Sequence, residues 1–517
     1  MNHEVTNQPP PLPDLDLLAG DAVLREGLEQ AGVPDSRGLA IAAGRAAARD
    51  DARLANENPP RLRTHDRYGH RIDEVEFHPA YHNLMRQGVE GRVASAAWDG
   101  EGRVGHLARL YLMTQADAGV VCPMSMTHAA VAALRIAPDL AAEWEPRIRA
   151  ARYDPRHLPA AAKLGVTLGM AMTEKQGGSD VRANTTRAER TSEGYVLEGH
   201  KWFCSAPMSD AFLTLAQAEG GLTCFLAPRI LPDGTRNGIR IQRLKDKLGD
   251  RSNASAEIEY HGTRAARLDE EGRGIAAIIA MVQETRLDCV AGSAGGMRAA
   301  LTEAFWHVRH RRAFQKALID QPAMRMVIAD LCLEVEASTR LALWLATLMD
   351  AGDPLARIAV PAAKFWVCKR QVGVVHEALE AHGGAGYVEE APMGRLFRAS
   401  PLNAVWEGSG NVIALDLLRA LEDEATGAAL SDLMADMRGC DRHLDDHLSG
   451  LSKNPAPHDA RLFAEDLALA LQARALFETP AFEAFCAARL ARRGSIYGAV
   501  TLPGADDLLA RAMPQPV

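Results

Sequence analysis

The chain has 517 residues, 47% hydrophobic and 24% charged, with a formal net charge of -9. That length supports several packed domains, and the acidic balance excludes a general attraction to nucleic acid, which then needs a local basic patch. No apolar run approaches the ~20 residues of a membrane span, and the polar, proline-rich N-terminus has no signal-peptide core. The eight cysteines stand singly with no C-x-x-C pair, which suits a reducing cytoplasm and argues against a zinc site or a disulfide framework.

The opening segment, Asn7 to Leu17, holds Pro9-Pro10-Pro11-Leu12-Pro13 and predicts an extended arm packed on its own or a neighbouring subunit. From Asp21 to about Leu164 apolar residues recur at helical spacing, as in Val23, Leu24, Leu28 and Leu107, Leu110, Tyr111, so residues 1–164 are expected to be mostly helical. From Gly165 the segments become short and β-prone: Gly194–Gly199, Ala211–Ala216, Leu222–Ala227 and Ala256–Tyr260, bounded by turn residues. An antiparallel β domain over 165–270 is the expectation. Long helical patterns return over Arg286–Arg312, Pro322–Met349 and Pro361–His382, giving a helical bundle over 271–424 with proline at helix starts. A further helical region, 425–517, has its own apolar pattern. The fold class is therefore mainly α with a central β domain.

Three motifs carry chemistry. In Trp406-Glu407-Gly408-Ser409-Gly410-Asn411 one carboxylate stands between an indole and a glycine, ahead of the apolar run Val412, Ile413, Leu415. An apolar wall raises a carboxyl pKa toward that of a usable base, and glycine lets the backbone approach a ligand. The same glutamate suits a cap at a helix start, and these residues alone leave both readings open. Met172-Thr173-Glu174 through Gly178-Ser179-Asp180 offers hydroxyls and exposed backbone N–H groups, an arrangement that can hold an anion or serve as an ordinary turn. Lys201-Trp202-Phe203-Cys204-Ser205 sets an indole beside small polar groups, suited to a flat cofactor or to a strand core. His78 and His82, four residues apart, lack acidic or cysteine partners nearby, so no metal site is expected.

Together with Arg311-Arg312-Ala313-Phe314, Gln321 and Glu380-Ala381-His382-Gly383-Gly384-Ala385-Gly386-Tyr387, these motifs resemble the acyl-CoA dehydrogenase flavoprotein superfamily in order and spacing. A narrower resemblance, to the AidB-type alkylation-response branch, rests on Glu76-Phe77-His78-Pro79-Ala80-Tyr81-His82, Arg243 to Gly249, Arg251 to Ser255, Pro361 to Phe365 and the extra C-terminal region. The resemblance implies FAD as cofactor, held by Met172, Thr173, Gly178 and Ser179, with Trp202 against the isoalloxazine ring and Cys204 toward N5. Many members carry a threonine at the Cys204 position; cysteine is a poorer donor. It further implies that Arg311, Phe314, Gln321, Gly383, Gly384 and Gly386 reach the FAD of a neighbouring subunit in a homotetramer, and that Ser409 and Asn411 close on the adenine side. Glu407 is then the base that removes the α-proton of an acyl-CoA thioester as a hydride leaves for N5, with Arg286 near the mouth of the site.

The branch is also associated with double-stranded DNA through the extra region. Acids outnumber bases after Ala425, and the expected footprint is limited to Arg489, Arg492 and Arg493. A DNA-binding protective flavoprotein with weak dehydrogenase activity is the alternative function.

Overall fold

The computed structural model describes residues 3–34, 36–452, 454–491 and 494–517. Contacts gather the chain into two units, one of Met1–Ala46, Glu101–Ala116 and Arg286–Val517, the other of Ala47–Gly100 and Asp117–Thr285. Among the described residues no helix is long and apolar enough to cross a membrane.

The second unit holds the β domain. The helix Ala46–Glu57 leads into a hairpin of β1 (Arg61–His65) and β2 (Arg71–Glu76), followed by the helices Pro79–Glu90, Ala118–Leu134 and Pro138–Arg149. The hairpin interrupts the region expected to be mostly helical. The main sheet comprises β3 (Leu168–Ala171), β4 (Arg187–Thr191), β5 (Gly194–Ser205), β6 (Ala211–Ala218), β7 (Gly221–Pro228), β8 (Ile239–Leu244) and β9 (Ser255–Arg267). The pairing path β6–β4–β5–β9–β7 returns to β6, which closes the sheet on itself. Pairing is antiparallel except where β3 joins β6, and β4 meets β6 at Arg187 and Gln217, in parallel. The parallel joins arise because β3 reaches β6 past the β4–β5 hairpin.

Strand β6 shows why its sequence is apolar without alternation. Phe212 and Ala216 point into the closed sheet beside Tyr260, Phe225 and Leu197. Leu213 and Leu215 point outward onto Leu134, Trp144 and Ile148 of the covering helices. Both faces are buried, so both carry apolar residues. Strand β7 repeats this with Phe225 inward and Cys224 and Leu226 outward.

The first unit is a helical assembly. Gly274–His310, whose residues from Arg286 onward belong to it, is followed by Pro322–Ala351 and Ala356–Ala381. Pro361 lies inside Ala356–Ala381 rather than at its start. It removes one i to i-4 bond, a loss offset by the unbroken burial of Ile358 to Phe365. Helix Ala460–Leu476 packs on both Pro322–Ala351 and Ala356–Ala381, with Phe463, Leu467, Leu471 and Leu476 buried. The proline arm packs on its own chain: Trp306 Nε1 donates to the Pro10 carbonyl (2.8 Å), and Asn7 exchanges two hydrogen bonds with the backbone of Arg312.

Candidate active site

Glu407 lies on a turn outside any helix. Its φ is +55° and that of Gly408 is +99°, and the following helix, Gly410–Leu421, takes Ser409 as its N-cap. The helix-cap reading of Glu407 therefore fails on backbone geometry. A side chain at position 408 would meet Ile413 at 3.0 Å besides adopting a strained φ, which accounts for the glycine. The indole of Trp406 is fixed by Asn403 (2.9 Å), itself held by Ser293 (3.1 Å).

The backbone around Glu407 is held by cations, where the sequence suggested an apolar wall. Lys364 is 1% exposed and donates to the carbonyls of Trp406 (2.7 Å) and Gly408 (2.5 Å). Arg286 Nε donates to the Glu407 carbonyl (3.2 Å), while its Nη1 pairs with Asp416 (2.8 Å). Arg357 binds the other oxygen of Asp416 (2.9 Å). Burial pushes the Asp416 carboxyl up, but the two guanidiniums overcome it and hold it below the usual range. Arg286 thus braces the glutamate turn through its backbone. Lys364 is not among the residues expected from the sequence; its signal is a lone lysine inside the apolar run Ile358–Phe365.

In the other unit, the turn Met172–Ser179 is organised by the buried Glu174. Its carboxylate meets Lys201 Nζ (2.8 Å), the backbone N–H groups of Thr185 (2.7 Å) and Thr186 (3.1 Å), and the Gln176 amide (2.8 Å). Burial pushes this carboxyl up, yet the Lys201 ammonium and the threonine donors hold it well below the usual range. Lys201 also donates to the Leu215 carbonyl (2.7 Å). The Thr173 carbonyl accepts from Trp202 N (2.8 Å) and the Met172 carbonyl from Asn184 (2.9 Å), joining the turn to its surroundings. Thr173 is half-buried and Ser179 exposed; a Cβ on Gly178 would strike the Thr173 hydroxyl at 2.4 Å.

Trp202 is half-buried beneath cations. Lys245 Nζ lies 3.4 Å from the ring centroid, with Arg243 at 5.6 Å and Lys175 at 5.7 Å. Cys204 contradicts its expected role. It is fully buried in the closed-sheet core with Tyr260 and Phe212, and burial pushes its thiol up. Residues 203 and 205 take the opposite face of β5, where Phe203 is 51% exposed and Ser205 Oγ lies 3.2 Å from Ser255 Oγ. The outward hydroxyl of the motif is therefore Ser205.

Arg311 donates to the Asn7 carbonyl (2.6 Å), and Gln321 to that of Ala313 (3.1 Å). Both brace the hairpin turn at Phe314, which at φ +49° stands 93% exposed. Gly383 has φ +61°, and a Cβ on Gly383 or Gly384 would meet nothing within 4 Å; one on Gly386 would meet the Leu379 carbonyl at 2.3 Å. Ser409 does not spend its hydroxyl on capping, and Asn411 accepts from Arg461 (2.8 Å). Arg489 contradicts the DNA footprint: it pairs with Asp330 (2.6 Å) and Glu334 (3.0 Å), both 1% exposed, so its charge is spent internally. Arg492 and Arg493 lie outside the described residues.

Comparisons with known proteins bear on these geometries. The N-terminal domain of the adaptive response protein AidB matches residues 7–155, the acyl-CoA dehydrogenase middle domain 169–263, and the acyl-CoA dehydrogenase C-terminal domain 272–422. The putative acyl-CoA dehydrogenase AidB of Escherichia coli (strain K12) is 43% identical over 99% of this chain and 98% of its own length. Acyl-CoA dehydrogenase family member 11 of Caenorhabditis elegans is 32% identical over 71% of this chain and 63% of its own. Among solved structures, Caenorhabditis elegans ACDH-11 in complex with C11-CoA superposes with a TM-score of 0.83 at 25% identity, covering 99% of this chain and 93% of that one. The apo form of Bd2924 superposes with 0.82 at 27%, covering 92% and 99%. At 43% identity over nearly its full length, the chain belongs to the acyl-CoA dehydrogenase family, on its AidB side, and is an oxidoreductase of that kind.

Proposed function

We propose that the protein is an FAD-dependent dehydrogenase of acyl-CoA thioesters in which Glu407 removes the α-proton. The observation that carries this is the braced turn at Glu407, whose Trp406, Glu407 and Gly408 carbonyls are held by Lys364 and Arg286. A glutamate on a strained, anchored turn is set up to present its carboxylate to a reacting group rather than to a cap.

The residues present fit FAD. Thr173 and Ser179 bring hydroxyls to one turn, Gly384 leaves open space where a side chain would stand, and the Ser409 hydroxyl is not spent on its own helix. Met172, Thr173, Gly178, Ser179 and Trp202 would hold one subunit's cofactor. Ser205 replaces Cys204 as the hydroxyl on the exposed side of β5. Ser409 and Asn411 would lie toward the adenine. When bound, FAD supplies the hydride acceptor. The protein's own part is to orient the thioester, take the proton on Glu407, and stabilise the charge growing on the thioester oxygen with a backbone N–H of the same turn. The complex of the Caenorhabditis elegans relative with C11-CoA supports a CoA thioester as substrate.

The exposed Phe314 on its braced hairpin supports the contribution of Arg311, Phe314, Gln321, Gly383, Gly384 and Gly386 to a neighbour's cofactor, hence a homotetramer in the cytoplasm. The functional division follows residues 1–164, 165–270, 271–424 and 425–517. Duplex-DNA association keeps Arg492 and Arg493 as its candidates; binding with steep salt dependence that flattens in the Arg492→Ala, Arg493→Ala double variant is its test.

The dehydrogenase reading is tested by anaerobic mixing of the oxidised flavoprotein with a panel of short and branched acyl-CoAs. Flavin absorbance should bleach with at least one, and Glu407→Gln should abolish the bleaching. A panel without a single bleaching thioester sinks the reading.

A further inference from the structure

Glu407 occupies backbone that a glutamate does not choose. A left-handed φ of +55° is strained for a residue with a Cβ, so surrounding groups must hold it. Those groups are two side chains on two helices. Lys364, on Ala356–Ala381, spans the turn by donating to the carbonyls on either side of Glu407, and Arg286, on Gly274–His310, takes the Glu407 carbonyl itself. Three successive carbonyls of the turn are thereby anchored.

The two cations differ in charge balance. Arg286 shares Asp416 with Arg357, so its charge is met by a carboxylate 2.8 Å away. Both hydrogen bonds of Lys364 go to carbonyls, and its side chain is shut off from water at 1% exposure. A buried ammonium is costly unless something nearby gains from its charge. The field of Lys364 reaches Cys289, Cys368 and Lys369, and Glu407 and Asp288 are the carboxylates whose charge also acts on Cys289. Asp288 is paired with His106 (2.7 Å), which leaves Glu407, on the braced turn, as the carboxylate whose ionised form such a charge would favour.

We infer that Lys364 is the positioning residue of this active site: it locks the left-handed turn and, through its charge, keeps the Glu407 carboxyl ionised and ready to accept a proton. The inference rests on Glu407 being the base. Lys364 touches neither substrate nor cofactor in this role; it acts through Glu407.

The sign of its effect on the pH profile follows. A carboxylate base loses activity as pH falls and it takes up a proton. Removing a favourable positive charge raises the pH at which that happens. The test is the anaerobic bleaching rate of the FAD-loaded enzyme against pH in Lys364→Met and Lys364→Arg. Lys364→Met should keep its flavin spectrum and its affinity for an unreactive thioether analogue of an acyl-CoA. Its rate should fall about 10- to 100-fold, and its acidic limb should move up by about one pH unit. Lys364→Arg should return the limb toward the wild-type position. An unmoved limb in Lys364→Met, whether or not the rate falls, overturns the proposal, because a merely structural lysine slows the enzyme without moving the limb. Should Lys364→Met not fold, Lys364→Gln keeps a donor for one carbonyl and lacks the charge; an unmoved limb in that variant overturns the proposal in the same way. Glu407→Gln separates the two readings: if it still bleaches, the base assignment falls; if it is inert while the limb of Lys364→Met stays put, only the role of Lys364 falls.

Discussion

Glu174 and Glu407 each stand in a functional motif, and each motif is organised by a buried lysine, yet the lysines work in opposite ways. Lys201 takes the Glu174 carboxylate directly at 2.8 Å, joined by two threonine N–H groups, the Thr185 hydroxyl and the Gln176 amide. Lys364 instead takes the carbonyls on either side of its glutamate. The first arrangement uses charge to lock a turn, so Glu174 is structural and its neighbours Thr173, Gly178 and Ser179 are the groups proposed to face the cofactor. The second locks the turn through its backbone carbonyls. A glutamate in a motif is thus assigned by what its lysine holds, which no spacing rule shows.

Substituting each glutamate is the sharpest way to break that contrast. Glu407→Gln should lower the bleaching rate by at least the ~10²–10⁴-fold typical of a lost general base while leaving the urea midpoint of unfolding nearly unchanged. Glu174→Gln strands the Lys201 ammonium at 0% exposure and should cost about 3–5 kcal/mol of stability, read from the same urea titration. A stable Glu174→Gln that no longer bleaches would exchange the two assignments.

Legibility in the sequence follows the same line. The four strands expected from Gly194–Gly199, Ala211–Ala216, Leu222–Ala227 and Ala256–Tyr260 all form, because two-sided burial of β6 and β7 forces an apolar run that periodicity finds. Strands β1, β2, β3, β4 and β8 are not evident from the sequence; β3 is only four residues long, and the others each carry charged residues, arginine in every one, so their pattern is weak. Cys204 takes the face opposite to the expected one because a bulge between Lys201 and Cys204 shifts the β5–β9 register, so motif position alone does not give orientation. Lys364, Asp416 and Arg357 are not legible since their partners are 40 to 130 residues away in sequence or are backbone atoms. The resemblance names the motif glutamate; the cations around it emerge only in three dimensions.

Arg489 supplies a test of intermediate size. Expected on a DNA-facing surface, it instead neutralises two buried acids beside Arg370. Burial pushes Glu334 up, but Arg370 and Arg489 bring it down to about 2. Because the folded value lies below the usual 4.5, the stabilisation is fully present above about pH 4.5 and is lost as pH falls toward 2. Arg489→Ala should cost about 3 kcal/mol at neutral pH, the low end for a broken buried pair, since Glu334 keeps Arg370 and Asp330 keeps the Gly498 N–H. It should also move the onset of acid unfolding to higher pH, as Glu334 becomes easier to protonate. Thermal melts from about pH 3 to 8, spanning the window in which the pair is lost, check both. Any DNA affinity should keep its salt slope in this variant, because a spent guanidinium releases no counterions from DNA.

The smallest effects separate packing from ligand contact within Gly383-Gly384-Ala385-Gly386. Gly386 is glycine for the protein's own sake: an added Cβ would stand 2.3 Å from the Leu379 carbonyl, so Gly386→Ala should cost about 1–3 kcal/mol through backbone displacement. Gly384 has nothing within 4 Å of an added Cβ and no positive φ, so folding alone does not require glycine there. Gly384→Ala should therefore melt within about 0.5 kcal/mol of wild type, as an unconstrained surface change does. If the open space beside Gly384 receives part of a neighbouring subunit's FAD, the same substitution should weaken flavin retention on dilution and shift the oligomer toward smaller species in sedimentation. A Gly384→Ala protein that holds its flavin and its assembly like wild type would remove Gly384 from the cofactor set and leave the loop's glycines to be explained by the Leu379 contact and the left-handed φ of Gly383.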